Sequence, residues 1–239
     1  MKTIQRHGLF SLTFLLGILM SVNVMAGNEK SDTQKRDTPS FHGISVTSGI
    51  DLYLTQGNSE EVVIKADPDI INDVVTKVEN GILHIYLKQK LHWVWHKERR
   101  AYVTFKELDQ LDASAGSDVK SQNAFKLDKL EINVSSGADV DLEDLSAESV
   151  SLDTSSGADG KLSGKVVHLN CSTSSGADID CSDLEAEQCT VSASSGADAR
   201  VHATKKINAN ASSGGDIRYK GNPSQKDINE SSGGDVYAD

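Results

Sequence analysis

The sequence predicts an all-β protein, a parallel β-solenoid of coils about twenty residues long, with one capping α-helix near its N-terminus. Three observations predict it. A six-residue phrase recurs seven times, as SAGSDV (Ser114 to Val119), SSGADV (Ser135 to Val140), SSGADG (Ser155 to Gly160), SSGADI (Ser174 to Ile179), SSGADA (Ser194 to Ala199), SSGGDI (Ser212 to Ile217) and SSGGDV (Ser231 to Val236). Its glycines are spaced 21, 20, 19, 20, 18 and 19 residues apart, the fixed period of a stacked repeat. Apolar residues hold fixed columns around each glycine. Leu111, Ile132, Leu152, Cys171, Val191, Ala209 and Ile228 lie five before it; Val119, Val140, Gly160, Ile179, Ala199, Ile217 and Val236 lie three after. A further column, five after the glycine, holds Ser121, Leu142, Leu162, Cys181, Val201, Tyr219 and Ala238. Polar residues stand between the columns, and alternation with a period of two marks a strand buried on one face.

Taken in order, residues 1–26 read as a secretory signal peptide. Lys2, Arg6 and His7 make a basic start, an apolar run follows from Leu9 to Met25, and Val24-Met25-Ala26 supplies small residues at the cleavage positions. The mature chain then begins near Gly27, and no later segment is apolar enough to span a bilayer. Residues 27–40 are polar, without periodicity, and read as a flexible linker. Residues 41–239 form one solenoid domain, with an N-terminal coil and cap over 41–110 and the repeat array over 111–239.

The N-terminal part repeats the phrase as Thr47-Ser48-Gly49-Ile50-Asp51, then departs from it. EVVIK (Glu61 to Lys65) reads as a strand. Asp67-Pro68 supplies an N-cap and a first helical residue, and Ile70, Ile71, Val74, Val75 and Val78 form one apolar stripe that ends at Gly81. This helix is expected to cover the N-terminal end of the stack. GILHIYLK and AYVTF read as two further strands. Within each coil, Ser-Ser-Gly is the turn: glycine takes positive φ freely, and Ser and Asp bond nearby backbone.

FHGISVTSGIDLYLTQG, followed by EVVIKADPDIINDVVTKVENGILHIYL and the Ser-Ser-Gly-Ala-Asp array, resembles the family of auto-transporter adhesins with a head GIN domain, over Phe41 to Asp239. Gly49-Ile50-Asp51 stands where the family name has Gly-Ile-Asn. The resemblance implies a right-handed β-helix, a place in the cell envelope or outside the cell, and adhesion without catalysis.

A formal charge of −11 excludes the basic footprint of a nucleic-acid binder. The aspartates Asp118, Asp139, Asp159, Asp178, Asp198, Asp216 and Asp235 align in one column, at about 4.8 Å if coils stack at strand spacing. Two readings stand, a solvated ladder of turn residues and a calcium-binding row. Lys88 to Arg100 is basic and aromatic, so Lys90, His92, Trp93, Trp95, His96, Lys97, Arg99 and Arg100 form a candidate contact loop for acidic glycans or an envelope protein. His92 and His96 alone make a weak metal site. Cys171 and Cys181 face each other across the core. A bridge would span sheets about 10 Å apart, against the roughly 7 Å limit of disulfide Cα atoms, so buried free thiols are expected. No nucleophile elbow, zinc helix or phosphate loop is present. The expectation is an exported binding protein without cofactor. The alternatives are a passive scaffold that assembles into oligomers through its ends, and a polysaccharide lyase or hydrolase.

Overall fold

The computed structural model describes residues 31–88 and 97–239. The signal-peptide region and most of the Lys88 to Arg100 stretch lie outside these residues.

In the repeat array the coils pair in parallel, as the columns require. Four long strands, β11 (Asp139–Ser155), β12 (Asp159–Ser174), β13 (Asp178–Ser194) and β14 (Asp198–Ser212), each make a whole coil. The polar residues that lead from one turn's strand to the next turn are strand too. Register shifts within the ladders mark them, between Leu142 and Leu145 for example. Coils on either side are made of two strands: β8 (Gln110–Ser114) and β9 (Asp118–Ser121) before, with β10 (Phe125–Ser135), and β15 (Asp216–Lys220), β16 (Gln225–Ser231) and β17 (Asp235–Ala238) after. The predicted columns are the ladder itself: Leu111 pairs Ile132, then Leu152, Cys171, Val191, Ala209 and Ile228 in turn.

These columns fill the core inside the coils as far as Tyr219, while in the last coil Ile228 is exposed. Gly160 stands in an inward column because Leu152 occupies its space; a Cβ there would lie 2.9 Å from Leu152 Cδ2. Two threonines are buried and satisfied. Thr154 Oγ1 donates to Thr173 Oγ1 (2.8 Å), which donates to the Ala177 carbonyl (2.8 Å). Such pairing removes the cost of a buried orphan hydroxyl.

The N-terminal part supplies β2 (Gly43–Val46), β3 (Asp51–Gln56), β4 (Glu61–Ala66), β6 (Ile82–Leu87) and β7 (Arg99–Phe105). β2 and β3 stack on β8 and β9, and β6 and β7 stack on β2 and β3, all in parallel. β4 runs antiparallel to β7.

Two expectations are corrected here. The predicted capping helix is a single turn followed by strand β5 (Val74–Glu79), antiparallel to β6. Asp67 O accepts from Ile70 N (3.0 Å) and Ile71 N (3.1 Å), Ile70 O accepts from Asp73 N (2.8 Å), and strand β5 begins at the next residue. The β-branched run Val74-Val75-Thr76, with Val78, favours a strand, and β6 offers it a full ladder. The apolar residues still plug the end: Ile70 and Ile71 are fully buried on the connection that crosses from one sheet edge to the other. The expected flexible linker contains strand β1 (Asp32–Arg36), which pairs antiparallel with β4. Its polar sequence gave no periodicity because an edge strand with little burial needs only backbone bonds. Arg36 then donates from Nη2 to the Ile71 carbonyl (2.8 Å), tying the strand to the plug. Among the described residues there is no helix.

Candidate ligand-binding face

Each Ser-Ser-Gly turn delivers the chain into a strand whose first outward residue is the aspartate. Register makes the seven aspartates one row: Asp118, Asp139, Asp159, Asp178, Asp198, Asp216 and Asp235 are successive ladder partners. Most turn amides bond to the neighbouring coil, as Asp159 N does to the Ala138 carbonyl (3.1 Å), so the carboxylates are left outward. Asp198 N donates to Asp178 Oδ1 (3.3 Å). Partial burial, and then the neighbouring Asp51, push the Asp118 carboxyl above its usual range.

A second row lies two residues further along each strand. Its residues are Lys120, Asp141, Lys161, Asp180, Arg200, Arg218 and Tyr237, and they too are successive ladder partners. Partial burial works upward on Asp180, but bonds from Ser182 Oγ (2.7 Å) and Ser182 N (3.1 Å), with Arg200 and Lys161, carry it below the usual range. Arg218 sits over the Tyr237 ring at 5.5 Å. The row continues towards the N-terminal end as Tyr53, the partner of Lys120, and Tyr102, whose rings stack at 5.0 Å. This row was missed at the sequence level. It is visible there as the residue two after each aspartate (DVK, DVD, DGK, DID, DAR, DIR, DVY).

Where the rows run side by side, Asp118, Lys120, Asp139, Asp141, Asp159 and Lys161 surround a shallow hollow of about 250 Å³. Asp141 Oδ1 is buried there without a hydrogen-bond partner. The face therefore offers acceptors in one row and mixed cations and carboxylates in the next, one of each per coil. Among the described residues, no group of three or more His, Cys, Asp or Glu side chains is arranged to hold a metal ion.

Of the predicted contact loop, Lys90, His92, Trp93, Trp95 and His96 lie outside the described residues. Its flank is engaged within the chain. Lys97 pairs with Asp67 (3.2 Å) and Asp69 (2.7 Å), Arg99 Nε donates to the Gly49 carbonyl, and Arg100 pairs with Glu98 (2.8 Å). The thiols are free and buried. The neighbouring Cys181 sulfur and burial push Cys171 well up, and burial pushes Cys189 to about 12, so neither is a nucleophile at neutral pH.

The sequence model of the family described as "Putative auto-transporter adhesin, head GIN domain" matches residues 40–223. Among solved structures, a putative adhesin from Bacteroides fragilis superposes with a TM-score of 0.82 at 20% identity, over 88% of this chain and 98% of that one. A putative adhesin from Parabacteroides distasonis gives 0.71 at 23%, over 89% and 98%. A putative lipid binding protein from the same species gives 0.65 at 20%, also over 89% and 98%. At these identities the likeness concerns the fold. No curated protein matches the sequence.

Proposed function

The chain belongs to the head GIN domain family of putative auto-transporter adhesins, and on that premise we propose that it is an exported, non-catalytic binding protein whose paired outward rows hold a repetitive surface glycan. One observation carries this reading. The aspartate row and the mixed row run in register across the same strands, so a carboxylate recurs at strand spacing, about 4.8 Å, each beside a second polar side chain that is Lys, Asp, Arg or Tyr. A ligand that is itself a repeat can meet several such sets at once, and weak contacts then add through effective concentration. The signal-peptide reading of residues 1–26 supports export, and the strongly raised thiols support a role without covalent chemistry.

The test uses the chain from Gly27 onward on mucin-coated and on bare surfaces. Replacing Lys120, Lys161, Arg200 and Arg218 by Met is expected to weaken mucin binding about tenfold or more, roughly 1.4 kcal/mol. Replacing Asp139, Asp159 and Asp178 by Asn is expected to do the same. Mucin binding that survives both sets of changes would remove the face from the proposal. Shortening of mucin glycans during incubation would replace adhesion with catalysis.

A further inference from the structure

A second recess lies away from these rows, at the return corners of the first coils. Two hollows of about 340 Å³ each share His42, Lys106 and Glu107 and so form one groove. Its apolar lining is Leu127, partly buried, with Phe41 and Leu108 buried beneath the surface. Its wall is held by an amide clamp. The Gln56 side chain donates to the Lys126 carbonyl (2.9 Å) and accepts from Lys126 N (2.6 Å). Asn123 in turn brackets the Gln56 peptide, accepting from its N–H and donating to its carbonyl, both at 2.9 Å. Two residues from different coils thus fix the position of Lys126.

Three cations line this groove. Lys106, Lys126 and Lys129 have no carboxylate within ion-pair distance among the described residues. Return corners of later coils are built differently: Lys165 pairs with Glu185, Lys205 with Glu187 and Lys220 with Asp183. In an acidic protein, three ammonium groups without an ion pair along one groove are a local concentration of positive charge. The carboxylates of the groove shape what it can take. Asp109 is committed to His42, Oδ1 to Nδ1 at 2.8 Å. Glu60, Glu107 and Asp128 also line it and repel an extended polyanion.

The geometry points to a binding groove for an anionic amphiphile, with one oxyanion headgroup held by the lysines and an apolar tail along Leu127. Charge-assisted bonds fix the head, and the partly exposed Leu127 with the lysine stems supplies the apolar area that water would otherwise cover, Phe41 and Leu108 lying beneath.

Titration calorimetry with three probes tests this: octyl phosphate, octyl glucoside and inorganic phosphate. Octyl phosphate is expected to bind about tenfold or more tightly than either of the others, since only it uses both halves of the groove. The triple variant Lys106→Met, Lys126→Met, Lys129→Met is expected to erase its advantage over octyl glucoside. Equal binding of the glucoside, or of phosphate alone, overturns the proposal, as does an unchanged affinity in the variant. If the variant does not fold, the unaltered chain decides through salt. Binding of octyl phosphate should weaken steadily as sodium chloride rises, and salt-independent binding overturns the assignment.

Discussion

The second serine of each Ser-Ser-Gly turn carries the unusual conformation. Ser136, Ser156, Ser175 and Ser195 have φ of 59°, 58°, 59° and 57°, each followed by a glycine near 70°. Two successive positive-φ residues bend the chain from one strand of the coil into the next, and in the last two turns the bend closes on itself, Gly215 N donating to the Ser212 carbonyl and Gly234 N to the Ser231 carbonyl (3.0 Å each). Serine holds this conformation at a cost, so glycine follows it where a second penalty would fall. The residue after that glycine is packed: Ala138, Ala158, Ala177 and Ala197 are fully buried. In the last two turns this place is taken by Gly215 and Gly234, where the backbones of neighbouring coils come too close for a side chain. A Cβ on Gly215 would lie 2.7 Å from Ala193 C, whereas one on Gly176 would meet nothing within 4 Å. The two glycines should therefore respond to substitution in opposite orders. Gly176→Ala is expected to cost about 1–2 kcal/mol through φ alone, and Gly176→Asn less, because Asn tolerates that region. At Gly215 the larger Asn should cost more than Ala, which itself costs roughly 1–3 kcal/mol by overlap. Denaturant midpoints of the four variants measure this, and the same ranking at both sites would refute it.

At the level of elements, β12 and β13 bring three thiols into one core. A thiol of ordinary value 9.0 is pushed to about 12 at Cys189 by burial and then by Cys181, and Cys171 is raised by the Cys181 sulfur and by burial. Unfolding releases Cys171 and Cys189 to ionise near 9, while the folded chain keeps them protonated. The unfolded state thus binds fewer protons in that window. Stability is intact below pH 9 and falls between 9.0 and about 12, by about 1.4 kcal/mol per pH unit per thiol. Urea unfolding between pH 7 and 11 should show this decline, and Cys189→Ala should remove one thiol's share of the slope. An identical slope in the variant would dismiss the account. The same elements show what could be read in advance. The inward columns of Cys171 and Cys181 were legible because period-two alternation fixes which side a residue faces. The segment Asp67 to Glu79 was misread because Ile70, Ile71, Val74, Val75 and Val78 fit a helical stripe, while the contrary signal was local: Asn80-Gly81, at φ of 52° and 80°, is the two-residue turn that folds β6 back on β5 as a hairpin. β1 was hidden for the complementary reason: a polar edge strand carries no apolar signal at all.

For the whole molecule, a period near twenty made the solenoid legible, since any side chain repeated at that period must form a row. The aspartate row was visible for this reason, and the mixed row beside it was overlooked because its residue type changes along the stack, from Lys or Arg to Asp and Tyr. The lysine groove was beyond sequence reading, because His42, Gln56, Lys106 and Lys126 meet only through coil stacking. Stacking also carries an electrostatic consequence. Six successive aspartate pairs stand at strand spacing in a chain of charge −11. Neighbours about 4.8 Å apart repel by about 1 kcal/mol in water, and Lys120, Lys161, Arg200 and Arg218 in the adjacent row offset part of this. The row is therefore held at a cost to stability, and that cost should be screened by salt. Raising sodium chloride from a few millimolar to about the molar range, where the Debye length falls to about 3 Å, is expected to raise the melting temperature. The triple change Asp139→Asn, Asp159→Asn, Asp178→Asn should raise it at low salt by roughly 2–4 °C and flatten the dependence. Calcium chloride at matched ionic strength should act as sodium chloride does, because no carboxylate cluster suited to a metal is present among the described residues. A calcium shift well beyond the sodium one, abolished by the same triple change, would convert the row from a screened ladder into a metal site. The adhesion face would then be one that calcium assembles.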